Sequence, residues 1–119
     1  MSKAVVLVVE DEFLIRLNTV EMIEDAGYSV LDAADAETAI DILEQRRDID
    51  LVFTDINMPG SMDGLELARY IRETWPSIRV VLTSGKTILR DRDIPDEGRF
   101  LLKPYSHNQV ENVLHELVG

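Results

Sequence analysis

Five short apolar runs, each set apart from the next by a stretch rich in polar and turn residues, constrain this chain more than any other feature of its sequence. Residues Ala4 to Val9, Val30 to Ala33, Leu51 to Thr54, Ile78 to Thr83 and Phe100 to Leu102 are mostly continuous in apolar side chains. That is the pattern of strands buried on both faces. Four of the intervening or following stretches carry helical periodicity instead. Phe13, Leu17, Val20 and Ile23 mark a first helix that Gly27 stops; Asp35 caps a second, lined by Ala36, Ile40 and Leu43. Leu67, Ala68, Ile71 and Trp75 mark a third, which Pro76 cannot continue. Ser106 and Gln109 have capping-box spacing ahead of a stripe of Val110, Val113, Leu114 and Leu117. From Ser84 to Arg99 only Ile88, Leu89 and Ile94 can face a core, and Pro95 interrupts, so a fourth helix there is expected to be short or poorly ordered. Strand-helix alternation of this kind predicts an α/β fold: a doubly wound, five-stranded parallel sheet with helices on both faces.

With 119 residues the chain is expected to form one domain, 1–119, with no output domain. Its 23 acidic residues against 12 basic ones, a net charge of −11, disfavour nucleic acid or an anionic membrane as direct partner. The imbalance is local: residues 1–60 hold 14 acids and 4 bases, whereas residues 61–119 hold 9 acids and 8 bases. The chain has no cysteine, which excludes disulfides, thiolate metal sites and thiol nucleophiles. No apolar run approaches the roughly 20 residues of a membrane span, and the N-terminus lacks a signal-peptide pattern. These features are read as those of a cytoplasmic protein.

In an open parallel sheet, ligands bind beyond the carboxyl ends of the strands. Those ends carry Glu10 and Asp11, then Asp55, then Thr83 with Ser84, then Lys103. Crowded carboxylates repel by roughly 4 kcal/mol per pair at 4 Å and a dielectric near 20. A divalent cation relieves this, and Mg²⁺, which takes oxygen ligands, suits Glu10, Asp11 and Asp55. A carboxylate beside such an ion, with a hydroxyl and an ammonium in reach, is equipped to attack phosphorus and form an aspartyl phosphate. Asp55 is the natural nucleophile, with Thr83 and Lys103 contacting the transferring group.

Val-Val-Glu-Asp-Glu at 8 to 12, Thr-Asp-Ile-Asn-Met-Pro-Gly-Ser-Met-Asp-Gly at 54 to 64, Leu-Thr-Ser at 82 to 84 and Leu-Lys-Pro-Tyr at 102 to 105 resemble the receiver domain of two-component response regulators. The resemblance spans nearly the whole chain. It implies a flavodoxin-like strand order 2-1-3-4-5 and an acidic metal pair in Glu10 and Asp11. It also implies phosphate acceptance at Asp55, a metal-ligating main-chain carbonyl at Asn57, a switch pair in Thr83 and Phe100, a phosphate-pairing Lys103, and a cis bond before Pro104. The implied partners are a histidine kinase or histidine phosphotransfer protein, and a downstream protein. The chain would catalyse only its own phosphorylation and dephosphorylation.

Two departures stand out. The segment from Met58 to Gly64 is one residue longer than the common form, and Thr83 to Lys103 is slightly short for the family. The longer loop and the weakly patterned fourth-helix region motivate an alternative: a phosphorylation-independent interaction module of the same fold. A magnesium-dependent phosphatase would normally carry Asp-x-Asp around its nucleophile, where this chain has Phe53 and Asn57 flanking Asp55. Gly85-Lys86-Thr87 copies the tail of a P-loop, but the required first glycine is replaced by Val80. His107 and His115 fit no zinc spacing and read as surface or capping residues, and Met58 and Met62 read as packing beneath the loop.

Overall fold

Runs of valine and leucine favour extended backbone and bury well on both sides of a pleat, and such runs form the middle of the sheet. The computed structural model describes residues 3–85 and 98–119. In chain order these fold as β1 (Val5–Val9), α1 (Phe13–Asp25), β2 (Ser29–Ala33), α2 (Ala36–Gln45), β3 (Leu51–Asp55), α3 (Gly64–Thr74), β4 (Arg79–Ser84), β5 (Arg99–Leu102) and α4 (His107–Val118). The strands are all parallel, in the order β2-β1-β3-β4-β5. The expected fourth helix lies outside the described residues.

Alternation along the strands divides the core into two layers. Leu7, Val9, Val52 and Leu82 face α2 and α3, where Leu43, Leu67, Ala68 and Ile71 cover them. Val6, Val8, Leu51, Phe53 and Val81 face α1 and α4, where Met22, Ile23, Val110 and Leu114 close the second layer. The expected caps are present: Asp35 accepts from the Thr38 amide, and Ser106 and Gln109 form a reciprocal box at α4. Gly27 follows α1 at φ +101°, the left-handed backbone that ends helices. No helix among the described residues is long and apolar enough to cross a membrane.

Two expectations need correction. Burial on both faces holds for β3 and nearly so for β1 and β4, but β2 and β5 are only partly covered. Both lie at sheet edges, where a neighbour covers one side only. The stripe expected for α1 is also rotated. Phe13, Leu14 and Leu17 are 60%, 68% and 46% exposed, while Thr19, Met22 and Ile23 are buried. A polar residue holds this core position because the Thr19 hydroxyl shares a 2.6 Å hydrogen bond with the Tyr105 hydroxyl. Tyr105 in turn packs edge-on to Phe53.

Candidate functional site

The parallel register carries the ends of β1, β3, β4 and β5 to one rim, with Asp55 and Thr83 as direct neighbours across the β3–β4 ladder. Glu10, Asp55, Thr83 and Ser84 are four of the buried polar residues of the described chain, and all belong to this rim. Apolar strands force that burial, because the last residues of a central strand share its covered position. Each buried group therefore needs a partner.

Lys103 supplies the central one. Its Nζ lies 2.6 Å from Glu10 Oε1 and 3.3 Å from Asp55 Oδ2. The ammonium thus pairs more closely with the first-strand acid than with the expected phosphoacceptor, since the longer glutamate side chain reaches across. Asp55 Oδ1 accepts from the Asn57 amide at 3.2 Å, and Glu10 Oε2 accepts from the Glu12 amide at 3.1 Å. Asp11 stands exposed at the opening, with its carboxylate oxygen, one from Glu10 and one from Asp55 all within 4.8 Å of one another. Glu10, Asp11, Asp55, Asn57, Gly85 and Lys103 line a concavity of about 350 Å³.

Burial pushes the Glu10 carboxyl above the usual carboxylate range, against the opposing pull of its hydrogen bond to Lys103. Burial alone draws the Lys103 ammonium down. Its hydrogen bond to Glu10 and the charge of Asp55 outweigh that pull and leave it raised. The two partners thus disagree about the worth of their pair: it holds the lysine's charge without repaying the glutamate's desolvation.

Several supporting residues went unread in the sequence. Arg16 donates to the Glu10 carbonyl at 2.8 Å and to Asp32 at 2.9 Å, tying α1 to the ends of two strands. Asp63 and Glu66 form a capping box at α3, a spacing that was legible. Gly64 passes so near the Asp55 carbonyl that a Cβ there would fall deep inside contact distance of it. The longer loop is anchored where Ser61 donates to Glu37 of α2. Ser84 Oγ donates to Asn57 Oδ1 at 2.7 Å, a pairing that twenty-seven positions of separation conceal. Of the remaining expected residues, Phe100 is partly buried against the α2–α3 layer, Met58 is buried with Met62 packed beside it, and both histidines are exposed. The Lys103–Pro104 bond is cis.

A larger, mainly apolar concavity of about 520 Å³ runs beside this cleft, between α1 and the segment Lys103 to Tyr105. Ile15 and Lys103 line both, so the two openings adjoin.

A family model described as the response regulator receiver domain matches residues 6–115. The chain is 36% identical over 123 residues to the sensor kinase CckA of Brucella abortus (strain 2308), covering 98% of this chain and 13% of that protein. It is 31% identical to the response regulator receiver protein CpdR of the same organism, with 95% of each covered. A solved response regulator receiver protein from Sinorhizobium medicae WSM419 superposes with a TM-score of 0.87 at 30% identity, over 97% of this chain and 94% of that one. The chain belongs to the response regulator receiver domain family. It is accordingly a phosphoacceptor signalling domain of the two-component kind.

Proposed function

We propose that Asp55 is the phosphoacceptor of this domain, and that the phosphoryl group comes from a phosphohistidine on a histidine kinase or histidine phosphotransfer protein in the cytoplasm. One observation carries the assignment: Asp55 is a buried carboxylate whose two oxygens are separately held, by the Asn57 amide and by Lys103, in a cleft open to solvent beside Asp11. An Asp55 oxygen attacks phosphorus, the bond from phosphorus to the donor imidazole nitrogen breaks, and the imidazole leaves. Lys103 stays beside the growing charge, and the Thr83 hydroxyl, one strand away, donates to a phosphoryl oxygen.

The clustered oxygens of Glu10, Asp11 and Asp55 fit a hard divalent cation, and Mg²⁺ is the reading they support. Glu10, Asp11, Asp55 and the Asn57 main-chain carbonyl would hold it. Bound there, Mg²⁺ supplies positive charge against the phosphoryl oxygens. The domain turns over no separate metabolite in this reading; it catalyses only its own phosphorylation and dephosphorylation.

The readout is a two-state surface. Movement of Thr83 toward the phosphoryl group leaves space into which Phe100, on the neighbouring strand β5, turns. The donor reaches Asp55 over the exposed apolar face of α1, Phe13, Leu14 and Leu17, because the groove lined by Leu14 adjoins the acidic cleft. A downstream protein reads the altered face.

Intact mass after incubation with Mg²⁺ and acetyl phosphate tests the assignment. A single phosphoryl adduct is expected, lost in Asp55→Asn and on chelation of the metal. No adduct from acetyl phosphate or from phosphorylated kinases would turn the reading to the phosphorylation-independent module.

A further inference from the structure

Glu10 and Asp11 sit on one short turn between β1 and α1, and Arg16 holds that turn from both ends. Its main-chain amide donates to the Glu12 carbonyl at 2.9 Å, and its side-chain Nη1 donates to the Glu10 carbonyl at 2.8 Å. Its Nε donates to Asp32 Oδ2 at 2.9 Å, which ties the guanidinium to β2. The guanidinium carbon also lies 5.5 Å from the centre of the Phe13 ring. Only 17% of the Arg16 side-chain surface is exposed, so solvent competes weakly for these bonds.

A peptide group is planar, so fixing the Glu10 carbonyl fixes the plane that joins Glu10 to Asp11. The plane before it is fixed as well, because the Glu10 amide donates to the Ala33 carbonyl at 3.1 Å. Both planes flanking the Glu10 Cα are thus set. With them are set the direction in which buried Glu10 enters the cleft and the point from which exposed Asp11 reaches over it. Charge and geometry make opposite demands on Arg16. As a bare cation it repels a divalent ion held by neighbouring carboxylates. As a rigid planar fork it keeps those carboxylates converged. Asp32 resolves the conflict, because its carboxylate offsets the guanidinium's charge while the fork geometry remains.

We infer that Arg16 is a positioning residue for the cation site: through the Glu10 carbonyl it pre-arranges Glu10 and Asp11 for Mg²⁺, and it depends on Asp32 to do so. This rests on the Mg²⁺ reading above. Groups that orient metal ligands from outside contribute about tenfold or more to affinity. Lysine at this position keeps the charge but offers a single point of attachment, so it cannot hold the Glu10 and Asp32 oxygens in one rigid plane.

The test titrates Mg²⁺ into the unphosphorylated, ¹⁵N-labelled domain and follows the amide shifts of Glu10, Asp11, Glu12 and Asn57, in wild type, Arg16→Lys, Arg16→Ala, Asp32→Ser and the Arg16→Lys/Asp32→Ser double variant. Arg16→Lys and Arg16→Ala are each expected to weaken Mg²⁺ about tenfold. Asp32→Ser should weaken it by a smaller factor and add nothing once Arg16 is lysine. Because Asp32 lies outside α1 and the acidic turn, this variant keeps the test open should an Arg16 variant fail to fold. At limiting Mg²⁺, Arg16→Lys should take phosphate from acetyl phosphate about tenfold more slowly, and saturating Mg²⁺ should return the rate to within about twofold of wild type. Wild-type Mg²⁺ affinity in the variants, tighter binding in Arg16→Ala, or a rate that stays low at saturating Mg²⁺ overturns the positioning role and leaves the Mg²⁺ reading intact. A wild-type domain that binds no Mg²⁺ overturns both.

Discussion

Lys103 and Glu10 share one ion pair and respond to its loss in opposite ways. The raised Lys103 value means the folded protein favours the ammonium, so this stability is fully present below the ordinary lysine value of 10.5 and is lost as pH rises through the folded one. Lys103→Met should therefore lower metal-free stability at neutral pH, by about 2 kcal/mol, less than a fully enclosed pair because the lysine keeps some solvent contact. Denaturant titration measures the loss, and added Mg²⁺ should recover more stability in the variant than in wild type. For Glu10 the sign reverses. A carboxyl raised above 4.5 binds its proton more readily in the fold, so the folded state gains relative stability on acidification between that value and the raised one. Glu10→Gln should raise the metal-free melting temperature at pH 7, and the gap from wild type should close as pH falls toward 4.5. A gap that widens instead would show that the pair repays the glutamate's burial. At this scale much was legible: an acid, a hydroxyl and an amine at four strand ends announce their chemistry wherever the strands are drawn. What stayed hidden was partner choice, since no sequence spacing shows that Lys103 reaches Glu10 more closely than Asp55.

Elements set how firmly those residues are held. The start of α3 is built against Asp55: Gly64 donates its amide to the Ile56 carbonyl at 3.1 Å and leaves no room for a Cβ beside the Asp55 carbonyl. Gly64→Ala must displace either the helix start or the Asp55 backbone. It should cost about 2 kcal/mol or more in denaturant titration and slow uptake of phosphate from acetyl phosphate along with it. Unchanged phosphorylation in a destabilised variant would show that the helix yields instead. Strand and helix positions were readable because periods of two and of three to four residues are distinct. The rotation of α1 was not, because apolar Phe13, Leu14 and Leu17 stand outside the core while Thr19 stands inside. The signal of the core face was carried by a hydroxyl whose partner, Tyr105, lies 86 positions away.

For the whole molecule, the arrangement separates chemistry from recognition. In the proposed function, Asp55 is reached by a small phosphodonor through the acidic cleft alone, whereas a protein donor also meets the apolar shoulder of α1. Leu14→Asp, at a residue 68% exposed, should therefore leave the rate with acetyl phosphate within about twofold of wild type. It should slow transfer from a phosphorylated histidine protein about tenfold. Equal slowing with both donors would place the defect in the cleft, and no slowing with either would remove α1 from the donor's path. The strand order followed from the resemblance and is what the sheet adopts; the covered or exposed state of its outer strands could not be read locally, because edge and central strands draw on the same residue types.

Those outer strands carry one more consequence. β2 ends the sheet on one side, and the outer side of an edge strand has backbone groups that can pair with another chain's strand. Asp32, whose charge Arg16 holds beside α1, sits inside that strand between Leu31 and Ala33. A charge in the middle of a mostly apolar edge strand makes addition of a neighbouring strand unfavourable. By this edge-strand logic the charge of Asp32, held by the same Arg16 that also binds the Glu10 carbonyl, disfavours self-association through the sheet, and a purely apolar residue at this position would expose a growth point for aggregates.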